Sequence, residues 1–148
     1  MKQALLILAL ITLSACQATN VEKITQTPSG FPDATFNNSK SATQSKLVNL
    51  CLDKGYLVTQ NPNSVVCQGS LADDEEILAN VFLKPNYATA TEVIIDFQTF
   101  NLSSNNTRVH AKQWIQWQTA FGQTQKTMLN SPHQFNSIQE QLYLIGGH

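Results

Sequence analysis

Charge is scarce in this chain. Only 13% of its 148 residues are Asp, Glu, Lys or Arg, nine basic against ten acidic, for a net charge of −1. So even a balance gives no large field, and neither nucleic acid nor an anionic membrane surface is a favoured partner. Solubility must then rest on Asn, Gln, Ser and Thr. Catalytic motifs are missing as well. There is no Gly-x-Ser-x-Gly, His-Glu-x-x-His, phosphate-cradling glycine loop or Cys-x-x-Cys. His110, His133 and His148 stand apart, with no metal-ligand spacing to join them. The acidic run Asp73-Asp74-Glu75-Glu76 lacks the spaced ligands and glycine of a calcium loop. No cofactor or metal is expected.

Long apolar runs are wanting too. The first one, Ala4 to Leu13, spans ten residues behind the positive Lys2. As a helix it would rise about 15 Å, against a hydrocarbon core of roughly 30 Å, which argues against a permanent membrane span. It has the proportions of an export signal. Its end, Leu13-Ser14-Ala15-Cys16, resembles the lipobox of bacterial lipoprotein precursors, where a branched apolar residue and two small ones precede cysteine. That resemblance covers the first sixteen residues alone. It implies a diacylglyceryl group on Cys16, cleavage before it and acylation of the new amine, hence membrane attachment through lipid. Each buried methylene contributes about 0.8 kcal/mol, so two or three acyl chains make a lasting tether. Gln17 stands where the sorting pattern places aspartate for inner-membrane retention, which implies an outer-membrane address.

With residues 1–15 removed, 133 remain, and loss of Lys2 moves the net charge from −1 to −2. Assigning Cys16 to lipid leaves Cys51 and Cys67, which in an oxidising compartment have one pairing available. The alternative is two buried free thiols.

Residues 16–41 are rich in Thr, Ser and Asn with Pro28, Gly30 and Pro32, and read as a flexible, lipid-anchored linker. Phe31 and Phe36 are its exceptions, either bystanders or docking groups. A domain over 42–148 follows. Thr43 caps a helix carrying Leu47, Leu50 and Cys51, and Gly55 stops it. Tyr56–Thr59 and Val65–Cys67 read as a hairpin around Asn61-Pro62-Asn63-Ser64. Residues 72–83 fit a helix, through Ile77, Leu78, Val81 and Phe82, or a buried strand. Lys84–Thr89 is a loop around Pro85.

A longer hairpin comes next, turning at Ser103–Asn106. Val93, Ile95 and Phe97 alternate with Glu92, Asp96 and Gln98 on its first strand. The second puts Val109, Ala111, Ile115 and Trp117 on one face and Arg108, His110, Lys112 and Trp114 on the other. Gly122 suggests a bend before a further strand. Ser131-Pro132-His133-Gln134 is a capping box with proline at the first helical position. Behind it, Phe135, Ile138, Leu142 and Ile145 form a stripe that Gly146 ends. The expected fold is a two-layer α+β domain: an antiparallel sheet of about four to five strands, with N- and C-terminal helices packed on one face.

The candidate partner surface is the face bearing Arg108, His110, Lys112 and Trp114, because Trp and Arg combine contact area with directed polar groups. Whether Trp114 lies under another part of the domain is left open. Three function classes fit. The first is a non-enzymatic envelope module that binds another envelope protein or assists assembly. The second is an exclusion or inhibitor lipoprotein acting against a phage, a conjugation apparatus or a hydrolase. The third is a periplasmic hydrolase built on His110 and Asp96, the one titratable pair the hairpin offers.

Overall fold

A computed structural model describes residues 27–70 and 89–148. Cys16 and its signal, and the segment 72–83, lie outside the described residues.

The chain enters at Asp33–Phe36, a four-residue strand β1. Ala34 and Phe36 point inward at 2% and 0% exposure, while Asp33 and Thr35 face the other way. The register runs antiparallel on the later strand, from Asp33 opposite His110 to Phe36 opposite Thr107. This corrects the tether expected up to residue 41: its last part is sheet, and Phe36 is core. Four residues flanked by Pro32 and Asn37-Asn38 are too short to register as a period, and the pairing partner lies far away in sequence.

Helix α1, Lys40–Asp53, starts earlier than Thr43. The hydroxyl of Ser39 accepts the Ala42 N–H at 3.3 Å, so Ser39 is the cap. Thr43 makes the first full helical turn, its N–H donating to the Ser39 carbonyl, and is itself buried. The helix ends as expected at Gly55, whose φ of 75° is open to glycine. There the Gly55 N–H donates to the Leu52 carbonyl and the Tyr56 N–H to that of Cys51, a Schellman closure.

Strands β2, Leu57–Asn61, and β3, Ser64–Ser70, form the short hairpin around Pro62-Asn63. Strands β4, Thr89–Ser103, and β5, Asn106–Gln118, form the long one. After Gly122, β6, Thr124–Met128, folds back on β5. Helix α2, Pro132–Leu144, carries both halves of the capping box and closes through Gly146.

The result is one six-stranded antiparallel sheet in the order β1-β5-β4-β3-β2. β6 pairs with β5 beyond the end of β1. The sixth strand beyond the expected four to five is β1. Both helices lie on one face. Leu47 and Cys51 of α1, with Ile138 and Leu142 of α2, share a single cluster with Val65, Cys67, Val93, Ile95, Phe97, Val109, Ala111 and Ile115. Cys51 and Cys67 are disulfide-bonded with Cα atoms 5.8 Å apart, which staples α1 to β3.

Two buried glutamines tie the helices to strand backbone. From α2, Gln139 accepts the Asp33 N–H at 3.1 Å and donates to the Asp33 carbonyl at 2.8 Å. From α1, Gln44 donates to the Asn61 carbonyl and to Thr99 Oγ1 and accepts from Gln60. In a chain poor in charge, neutral amides do the buried polar work, where ion pairs would cost more to desolvate.

Candidate partner-binding face

Strand alternation sends every second residue of the sheet away from the helices. On β5 these are Arg108, His110, Lys112, Trp114 and Gln116. Opposite them on β4 stand Phe100, Gln98, Asp96, Ile94 and Glu92, in that order. The expected surface group is therefore gathered on one face, and it is the face that neither helix covers.

At one end Arg108 Nη2 donates to Asp33 Oδ2 at 2.6 Å, an ion pair with side chains 35% and 14% exposed. His110 Nε2 lies 3.6 Å from the same oxygen, too far for a hydrogen bond, and is buried without a partner. The His110 ring tilts against Phe100, centroids 5.1 Å apart. Burial holds the His110 pKa below its ordinary value, with Arg108 and then Lys112 pushing the same way and only Asp33 opposing. The imidazole is accordingly neutral at pH 7.

The middle is acidic and amidic. Asp96 stands opposite Lys112 and accepts from Gln98 Nε2 at 3.1 Å. Glu92 is gripped from both sides, by Gln68 Nε2 at 2.8 Å and Gln116 Nε2 at 2.9 Å. At the far end the Trp114 indole N–H donates to Gln116 at 3.3 Å. Met128 of β6 lies directly opposite Trp114, and Lys126 Nζ is 5.9 Å from its ring centroid. Lys112 Nζ sits 5.6 Å from the ring of Phe31. Trp114 is half-buried on this face, while Trp117 packs against the core on the other. The opposite placement of the two indoles follows the expected alternation.

The two members of the hydrolase pair, Asp96 and His110, lie on this one face but are offset by two positions rather than directly opposite. The β4–β5 register puts Gln98 across from His110 and Asp96 across from Lys112. The carboxylate that meets His110 is Asp33, which sequence reading missed because it fell inside the expected linker. The alternation of Ala34 and Phe36 was its one signal. Ile94 was missed as well. It belongs to this polar face yet is only 4% exposed, between Trp114 and Gln68 on the neighbouring strands.

Among the described residues there is no group of three or more His, Cys, Asp or Glu placed to hold a metal ion. None of their helices is long and apolar enough to cross a membrane. A cleft between Phe31, Gln113, Leu129 and the start of α2 has a volume of about 10 Å³, room for roughly one water. The face thus brings together an ion-paired Arg108, Lys112, the His110 imidazole, several amides and the Trp114 indole. No protein-family model, curated protein or solved structure matches the chain.

Proposed function

We propose that this protein is a lipid-anchored module of the bacterial cell envelope that binds another envelope protein and catalyses nothing itself. The observation that carries the reading is the sequence Leu13-Ser14-Ala15-Cys16 behind a charged start and a ten-residue apolar run. Lipid on Cys16 would moor the chain, with Gln17 directing it to the outer membrane. The face opposite the two described helices supports the binding half of the proposal. Its Arg108, His110, Lys112 and Trp114 mix aromatic area with directed donors, the chemistry of binding hot spots. Arg108 is braced by Asp33, so it is held in place before a partner arrives.

The test is a pair of experiments in intact envelopes. Cys16→Ser should release the chain from the membrane fraction. With Cys16 intact, a photocrosslinking side chain at position 112 should capture a discrete envelope protein, and Trp114→Ala should abolish that capture without shifting the melting midpoint by more than a few degrees. Retention of Cys16→Ser in the membrane fraction would remove the anchor. Absence of any discrete adduct would remove the binding face.

A further inference from the structure

Among the described residues three strands of the sheet carry an outer edge, and they differ in what guards it. On β1 the edge is taken: the Thr35 N–H donates to the His148 carbonyl at 2.9 Å, and the His148 N–H returns the bond at 3.0 Å. β6 carries a cation at its centre, Lys126, within five exposed residues. Charged edge positions of this kind deter strand addition. Among the described residues β2 has neither protection. Leu57-Val58-Thr59-Gln60-Asn61 contains no charge, no proline and no bulge, four of its five residues are exposed, and among the described residues it pairs with β3 alone.

Its hydrogen-bonding phase can be read off its neighbour. The Asn63 carbonyl accepts from the Thr99 N–H on β4, so Val65 and Cys67, which share its phase, direct their backbone groups to β4. Ser64, Val66 and Gln68 therefore serve β2, through Asn61, Thr59 and Leu57. That leaves the N–H and C=O groups of Val58 and Gln60 pointing outward.

We infer that β2 is a docking edge for a second copy of this chain. A two-fold axis through Thr59 pairs Val58 with Gln60 of the other copy and Gln60 with its Val58, each pair exchanging both backbone hydrogen bonds. Every outward group of the strand interior finds its complement without a change of register. Thr59 then faces its own counterpart in the close, non-hydrogen-bonded position, and Leu57, 74% exposed, lies opposite Asn61. No like charges meet. The same operation on β6 would set Lys126 against Lys126, which is why the pairing belongs to β2. This edge is separate from the face around Trp114, and its use does not depend on the lipid anchor.

Cysteine substitution on the full chain in its native membrane or detergent extract tests the pairing. Mild oxidation of Thr59→Cys should give a reductant-sensitive dimer well above any formed by the parent chain. Gln125→Cys on β6 should give none beyond that background. Thr59→Lys, which sets two cations face to face, should convert the sedimenting species of the parent from dimer to monomer while its far-ultraviolet circular dichroism stays the same. If Thr59→Cys crosslinks no more than the parent and Gln125→Cys, or if the parent already sediments as a monomer at tens of micromolar, the inference is overturned. Crosslinking of Thr59→Cys to a different protein in place of itself would overturn it too.

Discussion

Gln139 reaches the centre of the domain with a primary amide and finds a backbone partner for both of its ends. It does for Asp33 what a neighbouring strand would do, accepting from its N–H and donating to its carbonyl. Replacement by leucine strands both backbone groups, at roughly 1–3 kcal/mol each. Gln139→Leu should therefore lower stability by about 2–6 kcal/mol, read as a lower urea midpoint at unchanged slope. His110 makes a different prediction. Its folded pKa lies below the ordinary 6.5, so above that value the residue is neutral in both folded and unfolded chains. As pH falls through 6.5 the unfolded chain takes up a proton that the folded one resists, and stability declines until the folded pKa is passed. The melting midpoint should drop between pH 7 and pH 5, and His110→Gln should flatten that part of the profile. At this scale the apolar core was legible, because Val93, Ile95, Phe97, Ile138 and Leu142 keep period in sequence. The glutamine clamps were not. A buried amide looks like a surface amide until its backbone partner, far off along the chain, is known.

Elements were readable where their signals are local. Capping box, proline and glycine stop bracket α2 within a few residues, and Gly55 marks the end of α1 in the same way. Hairpin turns at Pro62-Asn63 and Ser104-Asn105 sit between strands of clear alternation. β1 was illegible because only long-range pairing makes it a strand, and its flanking Pro, Gly and Asn composition argued for a tether. The start of α1 was misplaced because Ser39 and Thr43 are both competent caps, and it is the Ser39 hydroxyl that takes an orphan N–H, that of Ala42. The Cys51–Cys67 bond joins two of these elements across 16 positions. A closed loop of that size contributes roughly 3 kcal/mol by chain entropy. Cys51→Ser with Cys67→Ser should accordingly destabilise the domain by about 3 kcal/mol, and reductant should have the same effect on the parent while leaving the double variant unmoved. Equal stability of the two proteins would mean that the bridge does little beyond recording that the helix and strand are close.

As a whole, the molecule divides its labour by face and edge. One face of the sheet is spent on α1 and α2, and it holds the core together. The other is left polar and aromatic, braced by Asp33–Arg108 and by the two glutamines around Glu92. The candidate face was half legible in sequence. Alternation alone put Arg108, His110, Lys112 and Trp114 together, whereas Asp33, Phe100 and Met128 joined them only through register. Register also sets Asp96 and His110 two positions apart on the same face, with Gln98 directly opposite His110. The proposed function rests on where the chain is held, and the proposal places that on Cys16. The most direct measurement is the intact mass and N-terminal sequence of the chain purified from bacterial envelopes in which it has been exported. The expected result is a chain beginning at Cys16, heavier than its sequence by a diacylglyceryl group and an amide-linked acyl chain. An unmodified Cys16, or a chain that begins at any other residue, would contradict it.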